Sequence, residues 1–341
     1  MSVRILVGHV LDKLAELPDG SVQCVVTSPP YWQQRDYGVE GQIGLEPRPE
    51  EYIAKLVEVF AEVRRILRDD GTCWINIGDK WASGGKGGGG SFMEGRAEAW
   101  AHARNRKGWR SPPDGYKDKD LVGIPFMLAF AMRANGWYWR QCNIWAKPNG
   151  MPESVTDRST IAHEYVLHFS KSNDYWYDDE AARTPAAPAT ELRLAQNIES
   201  QLGSLRANGG SKTNGRMKTV SRRRRGWTPR HQPYALSCDQ SGLDTVGRGD
   251  GANIRSVWWI SPAQAQGDHH AVMPDKLAAI CILSGCPVGG VVLDPFLGSG
   301  TTAIVADALA RDCIGIELNP KFARQARHRC RSPGFALMAA D

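Results

Sequence analysis

Apolar positions along the chain change their spacing several times, and each change marks an element. Residues 21–28 (SVQCVVTS) form a β-branched run that reads as a strand and stops at Pro29-Pro30. Over residues 49–67, Tyr52, Ile53, Leu56, Val59, Phe60, Val63 and Leu67 recur at helical spacing. Asp69-Asp70-Gly71 reads as a turn, and residues 71–77 (GTCWINI) as a second strand. Strand, helix, strand predicts parallel pairing with the helix as crossover. Residues 81–116, which contain SGGKGGGG, read as a long mobile surface segment, because each glycine loses much backbone entropy on ordering. A helix is predicted from Asp120, as N-cap, to about Ala134, with Asn135-Gly136 as its stop. Residues 137–146 and 164–170 read as two strands. Near the C-terminal end the pattern gives a helix over 275–283 and a strand over 290–293. A helix over 303–309 and a strand over 313–318 (CIGIEL) follow. No tandem repeat runs at a fixed period.

Composition narrows the class. The 341 residues are 42% hydrophobic and 23% charged, the balance of an ordinary globular chain that needs no disulfide or metal staple. The longest apolar runs fall short of a membrane span. The N-terminal run is broken by Gly8, His9, Asp12 and Lys13, so no signal peptide is predicted. Eight cysteines are scattered with no C-x-x-C pair, which argues against a zinc site or a disulfide framework and suits a cytoplasmic protein.

Charge matters more by position than by sum. The net charge is only +5, but residues 201–238 contain no acid. That stretch carries Arg206, Lys212, Arg216, Lys218, Arg222, Arg223, Arg224, Arg225 and Arg230, with Trp227 and Tyr234 interleaved. It lies in a polar region, residues 181–253, that lacks periodic apolar positions. A solvated loop has this composition, and so does an insert that tracks phosphates and stacks on bases. The predicted organisation is a catalytic part over 1–180, a basic insert over 181–253, and a second part of the same domain over 254–341.

Two motifs carry chemistry. In the first, a strand leads into Asp294-Pro295-Phe296-Leu297-Gly298-Ser299-Gly300-Thr301, a helix follows, and the next strand ends at Glu317. This is a nucleotide-binding βαβ pattern in which Glu317 can accept hydrogen bonds from a ribose diol. It lacks G-x-G-x-x-G and the P-loop lysine, so an adenosine ligand without a phosphate chain fits better than a pyrophosphate. In the second, Thr27-Ser28-Pro29-Pro30-Tyr31-Trp32 follows a strand. The prolines withhold two N–H donors, leaving the Ser28 hydroxyl and the Pro29 carbonyl as acceptors beside two rings. That suits a planar substrate with an exocyclic amino group. Trp32 is read as core.

Together these motifs resemble those of the S-adenosylmethionine-dependent DNA amino-methyltransferases. Ser28-Pro29-Pro30-Tyr31 is similar to the family's catalytic motif and residues 294–300 to its cofactor motif. Their order, with a basic segment between, resembles the circularly permuted β group. The resemblance implies an α/β, Rossmann-like methyltransferase fold: a mixed, mostly parallel twisted sheet with helices on both faces. It implies S-adenosyl-L-methionine as cofactor, held by Asp294, Pro295, Phe296, Gly298, Ser299, Gly300, Thr301, Glu317 and Asn319. Lys276, with Pro274, would border the methionine end. Where the family pattern has Gly-Asp near the N-terminus, this chain has Gly8-His9, so His9, or Asp12, would meet the adenine amino group. Methyl transfer to a flipped base would use Ser28 and Pro29 as acceptors and Tyr31 as a stacking surface. Serine in the first motif position is the family's mark of N4-cytosine enzymes, with N6-adenine the alternative. Double-stranded DNA would be the partner, Arg222–Arg225 meeting phosphates with Trp227 and Arg230 beside them. A cognate restriction endonuclease would be a functional partner, and the enzyme a monomer or homodimer. A protein amide methyltransferase shares the planar amino substrate, and an inactive DNA-binding module shares the insert. Because donor and acceptor must meet, the strands over 21–28 and 290–293 are predicted to be sheet neighbours.

Overall fold

The computed structural model describes residues 2–82, 115–150, 152–183, 253–263 and 273–331. Contacts divide the chain into one unit of Met1–Ala181 with Arg255–Asp341 and a second of Ala182–Ile254. All the described strands and helices belong to the first unit.

Ten strands are present among the described residues: β1 (Val3–Val7), β2 (Val22–Thr27), β3 (Leu67–Ile77), β4 (Trp81–Ala82), β5 (Asp120–Leu121), β6 (Tyr138–Ala146), β7 (His163–Ser170), β8 (Val257–Trp259), β9 (Val291–Asp294) and β10 (Asp312–Glu317). The described helices are α1 (Val10–Ala15), α2 (Pro49–Ile66), α3 (Ile124–Ala134), α4 (Asp275–Gly285), α5 (Thr301–Ala308) and α6 (Pro320–Arg331). Eight strands form one sheet in the order β1-β10-β9-β2-β3-β7-β6-β8. The run β1-β10-β9-β2-β3 is parallel throughout. β7 then runs antiparallel to both β3 and β6, and β8 lies parallel to β6. The predicted neighbours do pair: Cys24 lies opposite Val292 and Val25 opposite Leu293.

Side chains of β3 alternate between two helical layers. Cys73, Ile75 and Ile77 join a core with Val10 and Leu14 of α1, Leu56 and Phe60 of α2, and Leu128 and Met132 of α3. Thr72 and Trp74 point the other way, and the Thr72 hydroxyl donates to the Gly285 carbonyl of α4. Burying both faces explains why β2, buried at every position, reads as a nearly continuous apolar run.

The structure changes three sequence expectations, the first being that Trp81 and Ala82, read as the start of a mobile surface segment, form β4, with Ala82 buried. Asp120 is not an N-cap: it belongs to β5, which pairs with β4, and α3 starts at Ile124. The cap comes from Asp79, whose carboxylate accepts from the Gly123 and Ile124 N–H groups at 2.9 and 3.0 Å. A carboxylate from a distant loop thus satisfies orphan donors that no local side chain reaches. Asp69-Asp70-Gly71 lies inside β3. Val22 pairs with Leu67 but Cys24 with Thr72, so these residues bulge from a continuous strand. The glycine-rich segment and the basic stretch around Arg222–Arg225, Trp227 and Arg230 lie outside the described residues.

Candidate active site

The five parallel strands end on one side of the sheet, and the loops that follow them line a single cavity of about 800 Å³. That is within the roughly 300–1,000 Å³ usual for small-molecule sites. Position follows from topology, since open α/β sheets bind ligands beyond the carboxyl ends of their strands. Gly8 and His9 follow β1, residues 295–299 and Thr301 follow β9, and Leu318 and Asn319 follow β10. Ser28, Pro29, Pro30 and Tyr31 follow β2, and Asn76 lies near the end of β3. From the antiparallel part come Glu164, at the start of β7, and Lys147, just after β6.

Most residues singled out from sequence are therefore brought together. Gly300 is not in the lining; it is the N-cap of α5, with φ 90°. A Cβ there would lie 2.9 Å from that of Ala326, so only glycine lets α6 approach. Lys276 is exposed on α4 and does not line the cavity, so its expected place at the methionine end is not borne out by position. Of the two residues considered for the adenine amino group, His9 lines the cavity and Asp12 does not. Trp32 is core: it is 3% exposed and its indole N–H donates to the Glu46 carbonyl at 2.8 Å.

The wall around the Gly-rich loop is built by carboxylates that hold backbone N–H groups. Glu317 accepts from Gly298 N–H through one oxygen and from Asn319 N–H through the other, both at 2.8 Å. Its burial raises the carboxyl above its ordinary range, while those two N–H groups oppose the shift. Ser299 is fixed by Arg329, which donates to its hydroxyl and its carbonyl. Asp294 accepts from Phe296 N–H at 3.0 Å, the Thr302 hydroxyl at 2.7 Å and the Thr27 hydroxyl at 2.6 Å. The last bond ties the cofactor-type loop to the strand bearing Ser28-Pro29-Pro30-Tyr31. Burial lifts Asp294 to about 6 despite these donors.

The opposite wall is built from side chains. Tyr52 donates to the Pro30 carbonyl at 2.8 Å and steadies the turn. The Tyr31 phenol donates to Glu164 at 2.5 Å. Burial first, then the Glu164 charge, pushes that phenol well above its ordinary range, so it stays protonated. Glu164 and Lys147 were not singled out from sequence. The only signal available was an acid opening a strand and a lysine closing one, which is common at strand ends.

The cavity fits a nucleoside-type cofactor: an acid closes one end of a glycine turn, and Phe296 and His9 line the same cavity. Comparison with known proteins agrees. The sequence model of the DNA methylase family (N6_N4_Mtase) matches residues 22–328. The chain is 38% identical over 329 residues to the type II methyltransferase M.SmaI of Serratia marcescens, covering 96% of this chain and 90% of that one. It is 37% identical over 322 residues to M.Cfr9I of Citrobacter freundii, covering 94% and 85%. The chain belongs to the DNA methylase family. Among solved structures, the fold is shared with the cytosine-N4-specific PvuII DNA methyltransferase, at TM-score 0.57 and 16% identity over 98% of this chain and 89% of that one. It is also shared with TTHA0409 of Thermus thermophilus, solved with S-adenosyl-L-methionine, at TM-score 0.54 and 23% identity over 98% of both. The chain is a DNA amino-methyltransferase with the Rossmann-like fold its motifs imply. No helix among the described residues is long and apolar enough to cross a membrane.

Proposed function

We propose that the protein methylates the N4 amino group of a cytosine flipped from duplex DNA at a specific sequence. S-adenosyl-L-methionine is the cofactor, and when bound it supplies an electrophilic methyl group. One observation carries the reading: the Ser28-Pro29-Pro30-Tyr31 turn and the Gly298 loop line one cavity and are joined by the Thr27–Asp294 hydrogen bond. Glu317 and the backbone of residues 295–299 would hold the nucleoside, with His9 at the adenine.

An exocyclic amine is a poor nucleophile because its lone pair is delocalised into the ring. Acceptance of its hydrogens by Ser28 Oγ and the Pro29 carbonyl would draw the nitrogen toward tetrahedral geometry and aim the lone pair at the cofactor wall. Tyr31 would stack on the base. A hydroxyl at residue 28, where adenine enzymes of the family carry Asp or Asn, favours cytosine. The arginines at 222–225 would contact phosphates along the duplex, with Trp227 and Arg230 alongside. Likeness to type II methyltransferases suggests a cytoplasmic enzyme that protects sites from a cognate endonuclease.

Transfer of a tritiated methyl group to duplex DNA, followed by mass spectrometry of the released nucleosides, tests this. N4-methylcytosine is expected. N6-methyladenine would replace the target base, and label in neither would overturn the reading.

A further inference from the structure

We propose that Glu164 is a positioning residue for methyl transfer, one that sets the Tyr31 ring and the Asn76 amide at the wall receiving the target base. The proposal rests on the amino-methyltransferase reading above. Its ground is a three-strand junction. Glu164, the second residue of β7, lies opposite Trp145 of β6, and Tyr165 lies opposite Ile77 of β3. One carboxylate oxygen receives the Tyr31 phenol at 2.5 Å and the Asn76 side-chain N–H at 2.9 Å. The other receives the Lys147 ammonium, which also sits 4.6 Å from the Trp145 ring centroid. Gly78 leaves room for the phenol ring: a Cβ there would lie 3.0 Å from it.

This arrangement decides which way the Asn76 amide faces. Its Nδ2 meets the Glu164 carboxylate and, at 3.0 Å, the Tyr31 oxygen. Both are acceptors there, because the only phenol hydrogen already goes to Glu164. The nitrogen must face them, which leaves Oδ1 buried and without a hydrogen-bond partner among the described residues. Asn76 is 4% exposed and lines the cavity. A buried acceptor is normally paired with protein, water or a bound molecule, and this one opens onto the cavity. One of the two hydrogens that the target amino group presents to Ser28 Oγ and the Pro29 carbonyl can be shared with this acceptor when the base stacks against Tyr31. Glu164 therefore acts through its partners, orienting the Tyr31 ring and the Asn76 amide at the wall proposed for the base.

Glu164→Gln keeps the volume and removes the charge. Its amide can turn an NH2 toward the phenol and Asn76, which releases the amide orientation. The single-turnover methylation rate should fall about 10- to 100-fold, the scale of a misplaced reacting group. KM for DNA and affinity for the cofactor should stay within about threefold. Tyr31→Phe should slow the step less, again without a change in KM, and the double variant should be no slower than Glu164→Gln alone, since groups acting as one unit are not additive. Losses that multiply in the double variant, an unchanged rate, or equal loss of cofactor affinity would overturn the proposal. Should Glu164→Gln fail to fold, Tyr31→Phe decides it, because that variant leaves the Glu164–Lys147 pair in place; an unchanged rate there would refute the role. A wild-type protein that labels no DNA amino group would instead sink the reading of activity, so the two failures are distinct.

Discussion

The two walls of the cavity are held in different ways. On the wall proposed for the cofactor, charged side chains hold backbone N–H groups: Asp294 holds Phe296, and Glu317 holds Gly298 and Asn319. On the wall proposed for the base, side chains hold one another across long stretches of chain: Tyr31 and Glu164 are 133 residues apart, Asn76 and Glu164 are 88. The first wall is a folded loop with its backbone donors held from nearby strand ends. The second is a network that closes only when β3, β6 and β7 are assembled, and it leaves the Asn76 Oδ1 acceptor open. A cofactor that is the same in every turnover suits a wall built locally. A base that must arrive, be checked and leave suits a network that keeps one acceptor free for it.

The largest expected effect comes from breaking the seam between the walls. Asp294→Ala leaves two hydroxyls and an N–H without their acceptor, and two or more unpaired buried donors cost about 3 kcal/mol or more. Denaturant unfolding should show that loss, and calorimetry and turnover assays should show both walls damaged together. The same residue gives a pH signature. Its folded pKa, about 6, lies above that of an unfolded aspartate, so the folded chain holds a proton the unfolded chain releases. This group's contribution to stability is therefore fully present below about pH 4 and lost as pH rises through 6. Asp294→Asn should flatten that part of the stability–pH curve, and a curve unchanged in the variant would contradict the assignment.

Next in size is a split between the walls. Tyr31→Ala removes a stacking surface worth about 1–3 kcal/mol per base, so turnover should fall up to about 100-fold. Cofactor affinity by calorimetric titration should stay within about twofold. Glu317→Ala should act in reverse, weakening cofactor binding by roughly 1.5–3 kcal/mol for each charge-assisted bond lost. Part of that loss would come through the Gly298 and Asn319 N–H groups it releases. Equal affinity loss in the two variants would erase the distinction. The smallest effect on either wall is expected from replacing Arg222–Arg225 with Gln. DNA affinity should drop for all sequences alike, the slope of log affinity against log salt should flatten by about 0.9 per lost phosphate contact, and cofactor affinity should not move. Filter binding across a salt series checks this, and an unchanged slope would remove these arginines from the DNA contact.

Residue order alone determined the elements whose signals are local. The helix Pro49–Ile66 announces itself by apolar positions at helical spacing, and the turn at Ser28-Pro29-Pro30-Tyr31 by two prolines after a β-branched run. The loop at Gly298–Gly300 shows itself by glycines, and both have positive φ in the structure. Such features were legible because their physics acts within a few residues: backbone sterics, periodicity, missing donors. Even the pairing of β2 with β9 could be anticipated, since methyl donor and acceptor must meet. What only the tertiary structure decided is where distant polar groups find partners. Nothing near Ile124 shows that its helix is capped by Asp79, so the start of α3 was misplaced at Asp120. Nothing near Glu164 shows that it will receive Tyr31, Asn76 and Lys147 from three other segments. A buried carboxylate requires donors, but the requirement does not say which; that choice is made by the order of strands in the sheet, because only the sheet sets which chain ends lie within a hydrogen bond of one another.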